Sequence, residues 1–283
     1  MSIKIVRLMT RLRNSLYIRG RMERIRRRRE ARLLAQVLRD TAPDLSWYVR
    51  DSSGIVLIRK HSDNLEDLLE NHRLSDAREL IDWLNECRGL VAIDVGANRG
   101  QISIAMSRNF ERVYALEPDS INFAELQDSL DLNGCNNVEA LQIAATDISG
   151  FKLLNVSTDY GHHSLEPKHI SQFRETKTVE SICLDDFSER FGLPRIDLVK
   201  IDVEGHELSV LKGASRLLAS ALIDQLIFEH SPVLLDLANR SRSEVLEFLN
   251  EHGYQVFDLK GNHIDKALIM TLSQADLLAI KGM

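Results

Sequence analysis

The chain has 283 residues, of which 44% are hydrophobic and 28% are charged. This composition is ordinary for a globular protein, and the length allows one α/β domain with an additional segment. No apolar run reaches the ~18 residues of a transmembrane helix, and no secretory signal is visible at the N-terminus. The three cysteines, Cys87, Cys135 and Cys183, form neither a disulfide framework nor a zinc pattern. We therefore expect a protein of a reducing compartment, in the cytoplasm.

The net charge of −6 conceals a basic N-terminal segment, because residues 1–40 contain 13 Lys and Arg against three acids. Apolar residues recur there at helical spacing, so residues 1–39 are predicted to form a basic amphipathic helix. Such an arm would pack on the body or on a second copy, bind an anionic membrane surface peripherally, or serve as a mitochondrial transit peptide. Nucleic acid is not an expected partner, because the rest of the chain is acidic and no aromatic residues interleave the run Arg26–Arg29.

The segment between the arm and the main domain, residues 40–89, is predicted to contain a hairpin and short helices. Turn residues at 51–54 separate two apolar stretches, which is typical of a β-hairpin. The predicted strands are 47–49 and 55–58, and the predicted helices are 65–69 and 77–84.

From residue 90 to residue 283, short apolar strands alternate with helical segments. This alternation predicts an α/β domain with a mainly parallel sheet that is covered on both faces. The last two predicted strands are only eight residues apart, which favours an antiparallel hairpin at the edge of the sheet. The predicted strands are 91–95, 113–116, 138–143, 197–201, 224–229, 254–259 and 268–272, and the predicted helices are 101–108, 120–132, 207–218 and 241–252.

Residues 91–100 predict a buried strand, a glycine turn and the start of a helix. Three apolar residues lead into Asp94, and Gly96 and Gly100 frame the turn. α/β folds use this arrangement to hold a nucleotide-like ligand. The Gly-x-x-x-Gly spacing differs from that of pyrophosphate binders, and a carboxylate at Asp94 suits a ligand with an ammonium group. The turn therefore favours S-adenosylmethionine over NAD.

A second predicted strand, 113–116, is followed directly by Glu117. This residue lies 21 positions after Gly96, near the offset of about 20 residues at which a carboxylate binds ribose hydroxyls. A carboxylate can accept a hydrogen bond from each of two hydroxyls. Glu117 is therefore predicted to bind the ribose of the cofactor.

The strand at 197–201 is followed by a dense group of polar residues, Asp202, Glu204, His206 and Glu207. Ligands of open α/β sheets bind at this end of the strands. Acidic residues also stabilise the first turn of a helix, and Glu207 is expected to do only that. Asp202 and Glu204 exceed what capping requires and are predicted to be catalytic.

The strand at 224–229 ends in the same way, with Glu229 and His230. A carboxylate beside an imidazole suits a general base for a hydroxyl, and it equally suits a ligand pair for a divalent metal ion. Both interpretations are open at this point, and no metal ligand is assigned. Residues 155–166 form a polar loop with two adjacent histidines, which we interpret as a lid or substrate loop.

These motifs resemble those of FkbM-type methyltransferases. The resemblance rests on residues 93–100, on Leu116-Glu117-Pro118 and on residues 200–207 with 210–214, and it covers about residues 90–260. It implies S-adenosylmethionine as the cofactor and a seven-stranded Rossmann-like sheet, the class I methyltransferase fold. It also implies methylation of an oxygen nucleophile on a natural product or on a sugar or glycan. A basic arm bound to a membrane would place the domain beside lipid-linked acceptors.

Carried over by position, the resemblance places Asp94, Gly96 and Asn98 around the methionine moiety. It places Glu117 at the ribose, the turn 145–147 at the adenine, and Asp202 beside the methyl group. Arg99 departs from the family, where this position is often apolar. The full predicted cofactor set is Asp94, Gly96, Ala97, Asn98, Gly100, Glu117, Asp119, Ala145 and Asp147, and the predicted catalytic set is Asp202, Glu204, Glu229 and His230.

Two other classes of function remain open from the sequence. An NAD-linked oxidoreductase would share the first half of the fold, although it would need a tighter glycine turn. A non-catalytic assembly protein would use the basic arm, although acids at three strand ends have no purpose in a scaffold.

Overall fold

The computed structural model describes residues 47–50, 53–59, 77–157, 163–166 and 173–282. All of them belong to one compact unit. The predicted arm at 1–39 and the predicted helix at 65–69 lie outside the described residues.

Twelve strands and nine helices occur in this part of the chain. The strands are β1 (Trp47–Arg50), β2 (Val56–Arg59), β3 (Gly89–Val95), β4 (Phe110–Leu116), β5 (Val138–Leu141), β6 (Ala144–Ala145), β7 (Gly150–Ser157), β8 (Phe173–Ile182), β9 (Ile196–Ile201), β10 (Ile223–His230), β11 (Tyr254–Asp258) and β12 (Ala275–Lys281). The helices are α1 (Arg78–Glu86), α2 (Gln101–Ser107), α3 (Ser120–Asn133), α4 (Leu184–Phe191), α5 (Glu207–Lys212), α6 (Ser215–Ala219), α7 (Pro232–Leu237), α8 (Glu244–Glu251) and α9 (Lys266–Ile269).

The central sheet has seven strands in the order β11-β12-β10-β9-β3-β4-β5. The five strands from β10 to β5 run parallel, and β12 is antiparallel to both β10 and β11. The prediction of a mainly parallel, seven-stranded Rossmann-like sheet with an antiparallel pair at its edge is therefore confirmed.

One face of this sheet carries the largest part of the core. Ile93, Tyr114, Val199 and Phe228 are at most 1% exposed and belong to one cluster with residues of α4, α5, α6 and α8. The other face carries α2, whose Ser103 hydrogen-bonds Asp94 of β3. The alternation of side chains along each strand thus separates an apolar face from the face that carries the polar groups described below.

The predicted hairpin is confirmed as the antiparallel pair β1–β2. It joins the main body through α3, because Asn133 accepts a hydrogen bond from the Val56 amide (3.1 Å) and Ser129 accepts one from the Ile58 amide (3.1 Å). The predicted helix at 77–84 is confirmed as α1.

Two predictions differ from the structure, and some elements were not predicted. The predicted helix 207–218 is divided into α5 and α6, and it bends next to Gly213, where a Cβ would lie 2.1 Å from the Thr146 carbonyl oxygen. The predicted strand 268–272 is wrong, because Asp265 caps the short helix α9 there and the last strand is β12. The sequence analysis also missed α4 and the three-stranded sheet β6-β8-β7.

No helix among the described residues is both long and apolar enough to cross a lipid bilayer.

Candidate functional site

The candidate site lies at the carboxyl ends of the parallel strands, next to β3. This strand has β4 on one side and β9 on the other, so the strand order reverses at β3, which is the position where ligands of open α/β sheets bind. In the sheet register, Asp94 lies beside Lys200, and Lys200 lies beside Ile227. Because side chains alternate along a strand, Asp202 and Glu229, each two residues farther on, belong to this same face.

The backbone of the turn after β3 contacts the carboxyl ends of both β4 and β9. Gly96 has a φ of +78°, and a Cβ on it would lie 1.9 Å from the Asp202 carbonyl oxygen. The amides of Gly96 and Ala97 both donate to the Leu116 carbonyl at 3.0 Å. Only glycine fits such an approach, so the predicted turn brings its backbone into direct contact with both neighbouring strands.

The second glycine of the turn, Gly100, starts α2. Its φ is +90°, and a Cβ there would lie 2.6 Å from Leu126 Cδ1. Asn98, between the two glycines, also has a positive φ of 51°. The backbone therefore enters α2 through two left-handed residues, which sets the start of the helix close to the carboxyl end of β4.

Asp94 lies at the base of this turn and is completely buried. Its Oδ2 accepts a hydrogen bond from Ser103 Oγ at 2.6 Å. Its Oδ1 has no hydrogen-bond partner within the described part of the chain and lies 3.6 Å from Lys200 Nζ. A buried acceptor with an open position suits a ligand that brings a donor group, directly or through a water molecule.

Glu117 connects the turn to the second strand. Its Oε2 accepts from the Asn98 amide and its Oε1 from the Asp119 amide, each at 2.9 Å. The residue is 5% exposed, and burial raises its pKa to about 7 although both amide hydrogen bonds lower it. Each carboxylate oxygen retains a second lone pair, so the group can bind a further donor while it holds the turn.

The other predicted cofactor residues have different surroundings. Asp119 is completely buried, caps α3 by accepting from the Ile121 amide at 2.9 Å, and pairs with Lys177 at 3.1 Å. Ala145 is buried in β6. Asp147 is exposed and pairs with Lys152 at 3.1 Å, where both this hydrogen bond and that of Thr146 help to lower its pKa against the effect of partial burial. That Asp119, Ala145 and Asp147 contact a cofactor stays a prediction.

The end of β9 forms a second tight turn. Glu204 and Gly205 have φ values of +55° and +90°, and Glu207 closes the turn by accepting from the amides of Val203 (3.2 Å) and Gly205 (3.1 Å). Burial raises the pKa of Glu207 to about 7. Glu207 therefore holds the turn before α5 in place, and the expectation that it has no other role stays a prediction. Asp202 stands before this turn with its side chain 35% exposed.

His206 connects three segments that are distant in sequence. Its Nε2 lies 2.9 Å from Thr146 Oγ1, and its Nδ1 lies 2.9 Å from Glu166 Oε1. Ser164 Oγ donates to the Glu204 carbonyl at 3.0 Å. Residues 163–166 of the predicted polar loop therefore lie against the turn that follows Asp202, whereas its first residues, 155–157, belong to strand β7 and not to a loop. Thr146 lies in the predicted turn 145–147 and Glu166 in the predicted polar loop, but their contacts with His206 were not predicted, because they join segments 60 and 40 residues apart.

Glu229 and His230 do not act as a pair. Glu229 faces Asp202, and its Oε1 accepts from Gln274 at 2.6 Å, while its Oε2 is buried without a partner among the described residues. His230 is 3% exposed on the opposite face, where burial and Arg242 lower its pKa. The predicted acid–imidazole pair is therefore wrong, because adjacent residues of a strand point to opposite sides.

A metal site was left open by the sequence. Within the described ranges, no group of three or more His, Cys, Asp or Glu side chains is arranged to hold a metal ion.

Glu229 provides a prediction about stability. Burial, together with the negative charges of Asp202 and Glu204, raises its pKa from 4.5 to about 8. The folded protein thus binds this proton more tightly than the unfolded chain, so the stabilising contribution is complete below about pH 4.5 and is lost as the pH rises through 8. Glu229→Gln should remove this part of the pH dependence, because a neutral amide keeps the contact with Gln274.

The measurement is thermal unfolding at pH 5.5 and pH 8.5. Wild type should lose more stability between the two values than Glu229→Gln. Glu251→Gln, at an exposed position of α8, serves as the control and should behave like wild type. Equal losses in wild type and Glu229→Gln would contradict the environment described for this carboxyl.

The sheet order, the glycine turn and the acids at the strand ends define a Rossmann-like domain of the methyltransferase type. A family model described as the methyltransferase FkbM domain matches residues 94–256. The chain belongs to the FkbM methyltransferase family, as the resemblance of its motifs implied.

Two curated relatives have methyltransferase names. The chain is 28% identical over 174 residues to the hexuronic acid methyltransferase AglP of Haloferax volcanii, covering 62% of each chain. It is 30% identical over 153 residues to methyltransferase sdnD of Sordaria araneosa, covering 43% of this chain and 59% of that one. The chain thus spans about six tenths of the length of these relatives.

Solved structures of methyltransferases are also similar. An FkbM methyltransferase from Methylobacillus flagellatus aligns with a TM-score of 0.43 and 20% identity, covering 77% of this chain and 54% of that one. A putative methyltransferase from Streptococcus mutans in complex with SAH aligns with a TM-score of 0.44 and 11% identity, covering 74% of this chain and 99% of that one.

Proposed function

We propose that the protein transfers the methyl group of S-adenosylmethionine to a hydroxyl of a sugar, glycan, lipid-linked or natural-product acceptor. The observation that carries the proposal is that the glycine turn after β3 contacts both Asp202 and Glu117. The backbone of Gly96 lies directly against the carbonyl of Asp202, while Glu117 holds the same turn from the other side. A ligand bound on this turn would reach a ribose-binding acid and an acceptor-facing acid together.

The described residues fit the cofactor. The tight turn at Gly96 offers close backbone approach, and the open oxygen of Asp94 suits the donor groups of a methionine moiety. The remaining lone pairs of Glu117 suit the two ribose hydroxyls. Ala145 and Asp147 would face the adenine. When bound, S-adenosylmethionine supplies a methyl group on a positively charged sulfur.

The acceptor side consists of Asp202 and Glu229. The side chain of Asp202 is half-buried, with 35% of it exposed, so its carboxylate can contact an acceptor hydroxyl and take its proton. Glu229 lies near Asp202 on the same face of the sheet, and its Oε2 has no hydrogen-bond partner among the described residues. Its pKa of about 8 is close to neutral pH, so this carboxyl can gain or lose a proton there. Since the cofactor is already activated, orienting the hydroxyl in line with the methyl group would supply most of the rate.

The acceptor class has separate support. One relative is named a hexuronic acid methyltransferase, which is an enzyme acting on a sugar acid. The family membership of this chain favours a methyltransferase over the NAD-linked oxidoreductase and the assembly protein that the sequence left open.

Glu117→Ala tests the cofactor assignment. Loss of a charged hydrogen bond to the ribose costs about 1.5–3 kcal/mol, so the dissociation constant for S-adenosylmethionine should rise roughly ten- to a hundredfold. Isothermal titration calorimetry measures it, with Glu111→Ala as the control, because Glu111 is an exposed glutamate on the same strand. Equal affinity in wild type and Glu117→Ala would remove Glu117 from the cofactor site.

A further inference from the structure

Lys200 is a charged side chain at a buried position of β9, between apolar neighbours. Its neighbours Leu198, Val199 and Ile201 are at most 1% exposed, and Lys200 itself is 4% exposed. Transferring an ammonium group from water into such surroundings costs several kcal/mol unless the group is paired. Lys200 therefore needs negatively charged partners at this position, and the identity of these partners indicates its role.

The partners of Lys200 are the two carboxylates on which the proposed site depends. Its Nζ lies 3.1 Å from Asp202 Oδ2, with a hydrogen bond, and 3.6 Å from Asp94 Oδ1. Within the described part of the chain, these are the only ion pairs of Asp94 and Asp202. Since Ser103 occupies the other oxygen of Asp94, Lys200 is the charged side chain that pairs with both carboxylates, in addition to the backbone contacts between the glycine turn and Asp202.

The surroundings keep Lys200 charged. Burial alone would lower its pKa, but the attraction of Asp202 and Asp94 outweighs this effect and holds the pKa above its usual value. Asp276 lies opposite Glu229 in the register of β10 and β12. Burial raises the pKa of Asp276, and the ammonium group of Lys200 acts against this shift. Lys200 thus supplies positive charge to an otherwise acidic face of the sheet.

We propose that Lys200 is a positioning residue for methyl transfer, which fixes the carboxylates of Asp94 and Asp202 in one arrangement. This inference rests on the proposed function. With Lys200 in place, the pocket for the amino-acid end of the cofactor and the carboxylate that contacts the acceptor form one rigid unit. Without it, two neighbouring carboxylates lose their shared cation, repel each other, and Asp202 is free to rotate away from the acceptor.

The test compares Lys200→Met, which keeps length and loses charge, with Lys200→Arg, which keeps the charge. Lys281→Met is the matched control, because Lys281 is a partly buried lysine of the same sheet that binds backbone carbonyls at the opposite end of the strands. Calorimetry with S-adenosylhomocysteine gives the affinity without turnover, and steady-state assays at saturating S-adenosylmethionine give kcat. Thermal unfolding of each variant measures the structural effect separately.

Lys200→Met should weaken S-adenosylhomocysteine binding and lower kcat, each on the order of tenfold or more, and Lys200→Arg should recover part of both. Lys281→Met should change neither. Combined with Asp202→Asn, Lys200→Met should still weaken binding through Asp94 but should lower kcat no further, because Asp202 no longer acts. A lower melting temperature with unchanged affinity and kcat would reduce Lys200 to a structural residue and overturn the proposal.

The experiment separates this inference from the proposed function. If wild type does not bind S-adenosylhomocysteine, the proposed function fails. If wild type binds and Lys200→Met binds equally well with the same kcat, only the role of Lys200 fails. If Lys200→Met does not fold, the double variant with Asp202→Asn is compared with Asp202→Asn alone, and equal affinities would contradict the proposal.

Discussion

Asp202→Asn is expected to fold, to bind S-adenosylmethionine with nearly the affinity of wild type, and to lose most of its methyl-transfer activity. The substitution keeps the size of the side chain and a possible contact with Lys200 through its amide oxygen, so the turn after β9 should persist. It removes the carboxylate that would accept the proton of the acceptor hydroxyl. Loss of a positioned general base lowers rates by about 10²–10⁴-fold.

The measurement is kcat at saturating cofactor, with a hydroxylated sugar or glycan that wild type methylates. Asp224→Asn is the control, because Asp224 pairs with Arg195 at the opposite end of β10, away from the site. Unchanged methyl transfer in Asp202→Asn would make Asp202 a residue of the turn rather than a catalytic one.

Gly96→Ala is expected to abolish tight cofactor binding. The added Cβ would lie 1.9 Å from the Asp202 carbonyl oxygen, so the turn or the end of β9 must move. Forced overpacking of this kind costs about 1–3 kcal/mol, and a left-handed φ adds about 1–2 kcal/mol for a residue with a Cβ. The displaced turn would also release the contacts of Glu117, so affinity for S-adenosylmethionine should fall roughly a hundredfold or more.

Gly192→Ala is a matched control for this prediction. Gly192 also has a positive φ, of 60°, but its Cβ would meet no atom within 4 Å. It should therefore show the backbone cost in thermal unfolding without any loss of affinity. If both variants were destabilised equally and both bound the cofactor like wild type, the close approach of Gly96 to Asp202 would have no functional meaning.

The parts of the site that the sequence predicted are those that local patterns determine. Asp94 and Glu117 each follow a short apolar strand, and Gly96 sits where a strand must turn into a helix. Parallel strands bring their carboxyl ends together, so these residues converge once the sheet is identified.

The parts that were missed depend on contacts between distant segments. Lys200 is recognisable only when the register of β3 and β9 places it beside Asp94. Thr146 and Glu166 meet at His206 across separations of 60 and 40 residues, which no local spacing reveals.

The last strand of the sheet, β12, was predicted at the wrong position for a different reason. Residues 268–272 are apolar enough for a strand, but Leu268 and Met270 are 40% and 44% exposed, and Asp265 caps a helix ahead of them. β12 instead uses Leu277 and Ala279, which are completely buried. Composition alone could not decide between two neighbouring apolar segments, because the choice depends on which one can pair with both β10 and β11.

The central claim is that the glycine turn and its flanking acids bind S-adenosylmethionine. The most direct measurement is a calorimetric titration of the wild-type chain with S-adenosylmethionine and, separately, with NAD. We expect saturable binding of S-adenosylmethionine at a stoichiometry of about one per chain, as for a single pocket of this fold, and no binding of NAD. Binding of NAD without binding of S-adenosylmethionine would contradict the account.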